Sequence, residues 1–224
     1  MFQLAREGYP FIVFFAIVTM VSLFFRINWL TAIALILTLF MLHFFRDPDR
    51  NTQHDPDAFI APADGRIVLI TKAKENEFLD TEMLKIGIFM SPLNVHVNRA
   101  PCDGTVKSVK HYPGKFFNAS TDDASILNEH ITMVLECNDH GPIVVKQIAG
   151  TVARRAVCRV KPGDTLKQGE RYGMIKFSSR VDIFLPLNTE VKLKLDDKVT
   201  AGKTVIAVRK QKQADNGHQS ATDS

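Results

Sequence analysis

The sequence predicts a mainly β protein (α+β) whose β domain is preceded by two membrane-associated helices. Two observations carry that prediction. Residues 10–25 and 29–45 are uncharged apolar runs, closed by Arg26 and Arg46. From Phe59 onward, short runs rich in Val, Ile and Leu alternate with Gly, Pro, Asp and Asn, the texture of strands joined by tight connections. A third observation, an internal doubling, bears on how those strands are arranged.

Composition narrows the classes of function. Of 224 residues, 46% are hydrophobic and 23% charged, an ordinary globular balance. The balance is unevenly spread, because most phenylalanines fall within the first 45 positions. A net charge of +4 asks for an anionic neighbour. Without interleaved basic and aromatic residues, a phospholipid membrane fits that bias and nucleic acid does not. Cys102, Cys137 and Cys158 are widely spaced and odd in number, so they read as free thiols in a reducing compartment. Neither H-x-x-x-H nor C-x-x-C spacing occurs, so no metal is expected, and there is no glycine-rich phosphate loop.

Each apolar run is near the lower limit of roughly 17 residues for a membrane-spanning helix. A secretory signal accounts for only one run, and no small-residue cleavage site follows it. A helical hairpin over 1–46, tight or re-entrant, with Trp29 at the interface, accounts for both. Arg6, Arg46 and Arg50 lie outside the pair, and Arg26 lies between the runs. That bias places both ends, and the domain, on the cytoplasmic side of the cell (inner) membrane. Residues 47–58, with two Asp-Pro steps and no periodicity, read as a linker. The domain is expected over 59–210, and the polar stretch 211–224 as a disordered tail.

Within the domain, the candidate strands are 66–72, 84–89, 104–111, 131–137, 143–149, 174–177, 181–185, 191–195 and 204–209. Helical signal is confined to a turn or two over 122–129. Two echoes organise the strands. Pro62-Ala-Asp-Gly65 and Pro101-Cys-Asp-Gly104 each feed a β-branched run. Pro162-Gly-Asp-Thr-Leu-Lys-Gln-Gly169 is echoed by Leu195-Asp-Asp-Lys-Val-Thr-Ala-Gly202. The second echo resembles the half-barrel repeats of biotinyl and lipoyl carrier domains, which implies a barrel-sandwich-like architecture. No lysine sits at a hairpin tip between suitable neighbours, so the carrier function does not follow.

Three places are candidates for chemistry. Ser178-Ser179 lies between two strand-like runs, where a serine pair usually closes a turn through its hydroxyls. It has a sharper reading: Ser179 Oγ attacks the Ser178 carbonyl, and the ester eliminates to leave a ketone on residue 179. In Asn94-Val-His-Val-Asn98, alternation puts Asn94, His96 and Asn98 on one face, either a pocket wall or a solvent-facing edge. Asp64, like Asp103, reads on spacing alone as an Asp-Gly turn.

Together, Pro62-Ala-Asp-Gly65, Ser91-Pro-Leu-Asn-Val-His-Val-Asn98 and Arg171-Tyr-Gly-Met-Ile-Lys-Phe-Ser-Ser-Arg-Val-Asp-Ile-Phe-Leu-Pro186 are far more specific than any one alone. In that order, behind an apolar N-terminus, they resemble the short form of the phosphatidylserine decarboxylase proenzyme family. Gln147-Ile-Ala-Gly-Thr-Val-Ala-Arg-Arg155 matches the family's block between the histidine and the serine. The likeness runs to about Arg209. The family usually has glycine before the serine, so Ser178 is a departure; glycine eases the strain of an acyl shift.

The resemblance implies a chain that cuts itself between Ser178 and Ser179. Its products would be a large chain, 1–178, and a small chain, 179–224, held as a heterodimer, with a higher oligomer left open. The small chain would begin with a covalent pyruvoyl group (a bound pyruvate) derived from Ser179, which forms a Schiff base with phosphatidylserine and stores the electrons freed as CO2 leaves. His96 would reprotonate the carbon, and Asp64 with His96 would form a serine-protease-like relay during cleavage. Longer relatives often carry a second histidine three positions on, where this chain has Arg99. Arg154, Arg155 and Arg180 are the expected contacts to substrate phosphate or carboxylate. The alternative is a membrane-tethered barrel-sandwich adaptor without chemistry, although such adaptors usually carry long helical hairpins in the domain, which this chain lacks.

Overall fold

In a computed structural model, residues 3–115, 117, 124–138, 140–150, 155–177 and 179–210 are described. The N-terminal residues form a hairpin of α1 (Tyr9–Phe24) and α2 (Asn28–Phe44), entered through a 3-10 turn at Arg6–Gly8. Pro10 sits in the first turn of α1, where its missing N–H leaves no helical bond unmade. The tip is closed by Arg26 in the left-handed region, at φ 57°. Between the helices, Thr31 donates to Ser22 Oγ at 3.0 Å, and Thr19 and Thr38 meet through their hydroxyls at 3.3 Å. Much of the remaining surface is apolar and exposed, including Phe14, Met20, Phe24, Trp29 and Ile36. The stretch Arg6–Phe24 is long and apolar enough to cross a membrane; Asn28–Phe44 is apolar but shorter.

The open end of the hairpin rests on the β domain. Ala5 N–H donates to the Phe45 carbonyl at 2.8 Å, and Arg159 grips Glu7 at 2.6 Å. The stretch expected as a linker runs along the domain and is tied to it. Asp47 accepts from Arg171 and pairs with Arg99, while Thr52 Oγ1 donates to the Gly202 carbonyl.

The strands are β1 (Ala58–Ile60), β2 (Gly65–Glu75), β3 (Thr81–Met90), β4 (Val97–Arg99), β5 (Gly104–Tyr112), β6 (His130–Cys137) and β7 (Gly141–Ala149). They continue as β8 (Arg155–Cys158), β9 (Thr165–Leu166), β10 (Arg171–Lys176), β11 (Ser179–Leu185), β12 (Thr189–Val191), β13 (Lys198–Val199) and β14 (Val205–Arg209). A one-turn helix, α3 (Ala124–Leu127), falls within the helical stretch expected over 122–129. Eight strands form a curled sheet in the order β13-β2-β3-β11-β7-β6-β5-β9, and two three-stranded sheets, β1-β14-β12 and β4-β10-β8, complete the fold. The protein is mainly β and consistent with a barrel-sandwich-like fold, as predicted. The expected tail, 211–224, lies outside the described residues.

The large sheet reads the same from either edge, and the sequence echoes supply the matching parts. Asp64 Oδ1 accepts the Ala201 N–H at 2.8 Å; Asp103 Oδ1 accepts the Gln168 N–H at 2.7 Å. Gly202 N–H donates to the Ala61 carbonyl, and Gly169 N–H to the Ala100 carbonyl. Ile67 N–H bonds the Asp197 carbonyl as Val106 N–H bonds that of Asp164. Each Asp-Gly turn is therefore the point where one half-barrel is pinned to its own glycine loop. A Cβ on Gly65 would lie 2.1 Å from the Phe89 carbonyl oxygen. Gly65→Ala is accordingly expected to cost about 1–3 kcal/mol, read as a lowered thermal midpoint; an unchanged midpoint would mean that β2 and β3 part there freely.

One expectation is corrected. Cys102 and Cys137 are joined in a disulfide, and only Cys158 is free. The β5–β6 pairing sets Gly104 opposite Cys137 and brings the two cysteines to a Cα separation of 6.4 Å. Sequence spacing alone, with a separation of 35 positions, carries no sign of that contact.

Candidate active site

Ser179 is not on an exposed turn. It is the first residue of β11, paired with Met90 of β3 on one side and Ala149 of β7 on the other. Its side chain is wholly buried, and its hydroxyl donates to the Met90 thioether at 3.4 Å, a weak acceptor. Beside it lies a buried amide pair, with Gln147 Nε2 donating to Asn98 Oδ1 at 2.8 Å and Asn98 Nδ2 facing the same Met90 sulfur. Gln147 Oε1 has no hydrogen-bond partner. Ser178, the other half of the pair, lies outside the described residues.

His96 is fully buried, which excludes the solvent-edge reading of its segment. Asn94 turns back to close the loop, its Oδ1 accepting from both N–H and Oγ of Ser91. The Asn94 carbonyl accepts from His96 Nδ1 at 2.9 Å. Because a carbonyl can only accept, Nδ1 carries the proton and the neutral ring leaves Nε2 as a bare lone pair. Nε2 is indeed buried without a partner. Burial lowers the imidazole to about 4, helped by the Arg46 charge and opposed by the Asn94 bond and the Asp64 charge. The ring packs on Phe44 of α2 at 4.3 Å between centroids, and Phe44 stacks in turn on Phe177 at 4.4 Å.

Asp64 and His96 are neighbours in charge but share no hydrogen bond. The Asp64 carboxylate is held at both oxygens by Arg50, at 2.5 and 2.8 Å, as well as by the Ala201 amide. Its pseudo-twofold mate Asp103 makes the equivalent amide bond and pairs with His54 and Lys167 instead. The amide bond is thus architectural; the Arg50 clamp is what sets Asp64 apart. A cleft of about 490 Å³ opens beside it, lined by Asp64, Arg66, Ser91, Asn94 and Lys198.

The three arginines fare differently. Arg180, one residue along β11 from Ser179, alternates to the opposite face. It is wholly buried and bound to Asp182 at 2.5 Å, lying where a Cβ on Gly87 would meet its Nε at 2.9 Å. Arg155 is exposed at the start of β8, opposite Lys176 of β10. Arg154 lies outside the described residues. Arg99, at the position of the relatives' second histidine, is buried against Asp47 and the Gly169 and Pro48 carbonyls, and burial lowers it to about 10.

Two members of the site, Gln147 and Phe44, carried no functional expectation from the sequence. Gln147 was legible only as part of a matching block, and Phe44 looked like one more apolar anchor residue.

Comparison with known proteins places the chain closely. The sequence pattern of the phosphatidylserine decarboxylase family matches residues 37–207, from within α2 to β14. A relative from Desulfotalea psychrophila, named phosphatidylserine decarboxylase proenzyme, is 46% identical over 202 residues, covering 90% of this chain and 94% of its own. Proteins of the same name from Geotalea uraniireducens (43% over 205 residues, 92% and 96% covered) and Ralstonia nicotianae (44% over 205 residues, 91% and 94% covered) agree.

Proposed function

The chain belongs to the phosphatidylserine decarboxylase family, and from that premise we propose that it is made as a proenzyme, cuts itself between Ser178 and Ser179, and decarboxylates phosphatidylserine to phosphatidylethanolamine at a membrane surface, a step of phospholipid synthesis. Membership of an enzyme family sets aside the adaptor reading. The observation that carries self-processing is the Ser179 hydroxyl, buried and facing a thioether. It gives up little when it turns on the neighbouring carbonyl.

In the proposed cleavage, Ser179 Oγ adds to the carbonyl carbon of residue 178. The amide C–N bond breaks, the freed nitrogen takes the hydroxyl proton, and an ester remains. Loss of the Ser179 Cα proton then expels the residue 178 carboxylate. The enamine left behind tautomerises, takes up water and releases ammonia, leaving a pyruvoyl ketone at residue 179. His96 Nε2, neutral and unpartnered, is proposed as the base for these transfers and later as the group that handles the substrate proton. Asp64, clamped by Arg50, is proposed to act on His96 through its charge rather than through a hydrogen-bonded relay.

The ketone supplies an acceptor for the substrate amine and for the electron pair freed as CO2 departs. Two buried polar atoms with bonds still to make suit such a group: Gln147 Oε1, two positions along β7 from the Ser179 partner Ala149, and His96 Nε2. At the rim, Arg155 and Lys176 face each other across β8 and β10, a like-charge pair that an anionic headgroup would relieve. Lys176 also lies over the Phe11 ring of α1, at 5.5 Å, where the hairpin meets the domain. We therefore propose Arg155, with Arg154, for headgroup contact, and Arg180 as an internal brace. The exposed hairpin is proposed as the membrane anchor; α1, at 16 residues, is about 24 Å long, and the two ends of the hairpin meet on the domain side.

Intact-mass measurement of the purified protein tests the core of this reading. Two fragments are expected, one ending at Ser178 and one beginning with a blocked residue 179. A single unbroken chain in an active preparation would sink the pyruvoyl mechanism.

A further inference from the structure

The residue leading into the serine pair has a backbone that its side chain disfavours. Phe177 sits at φ 59°, in the left-handed region that bulky residues avoid. The other described non-glycine residues with positive φ, Arg26, Asp80 and Asp196, are polar and lie in connections, where that conformation is ordinary. Such strain persists only where surrounding structure enforces it. Here the enforcing contacts come from the membrane hairpin. Phe44 stacks on the Phe177 ring with planes 22° apart, and Phe45 meets it edge-on at 6.2 Å. Both are wholly buried, in a cluster with Ala5, Met41, Val95 and Met174. Phe44 also packs on His96 at 4.3 Å between centroids, so one aromatic ring touches both the proposed base and the residue that feeds the cleavage site.

We infer that Phe44, backed by Phe45, is a positioning residue for self-cleavage: the seated hairpin holds Phe177 left-handed and so sets the direction in which the chain enters Ser178-Ser179. Maturation then waits on the docking of the anchor. The inference rests on the self-cleavage reading above and adds to it a dependence on the N-terminal helices. Without the stack, Phe177 relaxes to negative φ and no longer directs the chain into the cleavage step. Glycine at 177 has no such preference, since it occupies positive φ at no steric cost.

Full-length chains are made in a cell-free system with vesicles of phosphatidylglycerol and phosphatidylethanolamine, and cleavage is followed by gel and intact mass. Phe44→Ala is expected to slow self-cleavage roughly tenfold or more. Phe44→Leu, which keeps most of the volume and loses the flat stack, should slow it in the same direction and guards against a merely unfolded alanine variant. Phe177→Gly should cleave as fast as the unmodified chain, and Phe44→Ala/Phe177→Gly should recover most of the lost rate. That recovery separates a positioning role from a structural one, because a damaged core is not repaired by glycine. Cleavage of Phe44→Ala and Phe44→Leu at the unmodified rate would overturn the inference and leave self-processing standing. So would a double variant as slow as Phe44→Ala alone. An unmodified chain that stays whole would overturn both readings.

Discussion

Ser179→Ala is expected to remain a single chain with no decarboxylase activity. The reason is chemical rather than structural: alanine has no oxygen to form the ester, so neither the break nor the ketone can follow. The fold should hardly register the change. Ser179 is buried in the β3–β11–β7 ladder, whose backbone bonds do not depend on the side chain, and the lost partner is only a thioether. A thermal midpoint close to that of the parent chain, with cleavage and CO2 release both abolished, is the expected result. Normal decarboxylation by the variant would remove Ser179 from the mechanism. Ser178→Ala separates the two hydroxyls: it is expected to be cut, and a block there with cleavage intact in Ser179→Ala would move the conversion one residue back.

The fold was legible wherever backbone demands reach into the residue types. The paired Asp-Gly turns and glycine loops echo because both half-barrels need the same pinning bonds, and Gly163, Gly169, Gly202 and Asp196 all sit at positive φ in those loops. The long strands were legible from their β-branched runs. The short ones, β1, β4, β8, β9 and β13, were not, since two to four residues carry no period. The strand expected at 191–195 is displaced to Thr189–Val191; Lys192 N–H still reaches the Ile206 carbonyl, but the chain then bends toward the Asp196 turn. At the site, the identities of Ser179 and His96 followed from motif resemblance. Their burial did not, because it comes from distant partners. Phe44 covers His96 from the N-terminal hairpin, and the Asn98–Gln147 bond joins separate sheets.

That covering governs the second large effect. His96→Ala is expected to slow self-cleavage and turnover by roughly 10²–10⁴-fold, the usual worth of a positioned proton-transfer group. His96→Phe keeps an aromatic ring against Phe44 and deletes the nitrogens, so an equal loss there assigns the effect to the imidazole nitrogens rather than to packing. The pH dependence supplies an independent sign. Burial holds the folded imidazole near 4, against an ordinary value of 6.5, so a base at this position stays unprotonated throughout the neutral range. The cleavage rate should therefore be level from about pH 8 to pH 5 and fall with a midpoint near 4. Stability moves in the same direction. The unfolded chain takes up this proton near 6.5 and the folded chain only near 4, so the His96 contribution is intact above 6.5 and declines as pH falls toward 4, by on the order of 3 kcal/mol. Variants that cleave and turn over at the parent rate would show that His96 is not the base, whereas a cleavage profile with its acid limb at 6.5 would show that burial does not depress the imidazole from its ordinary value.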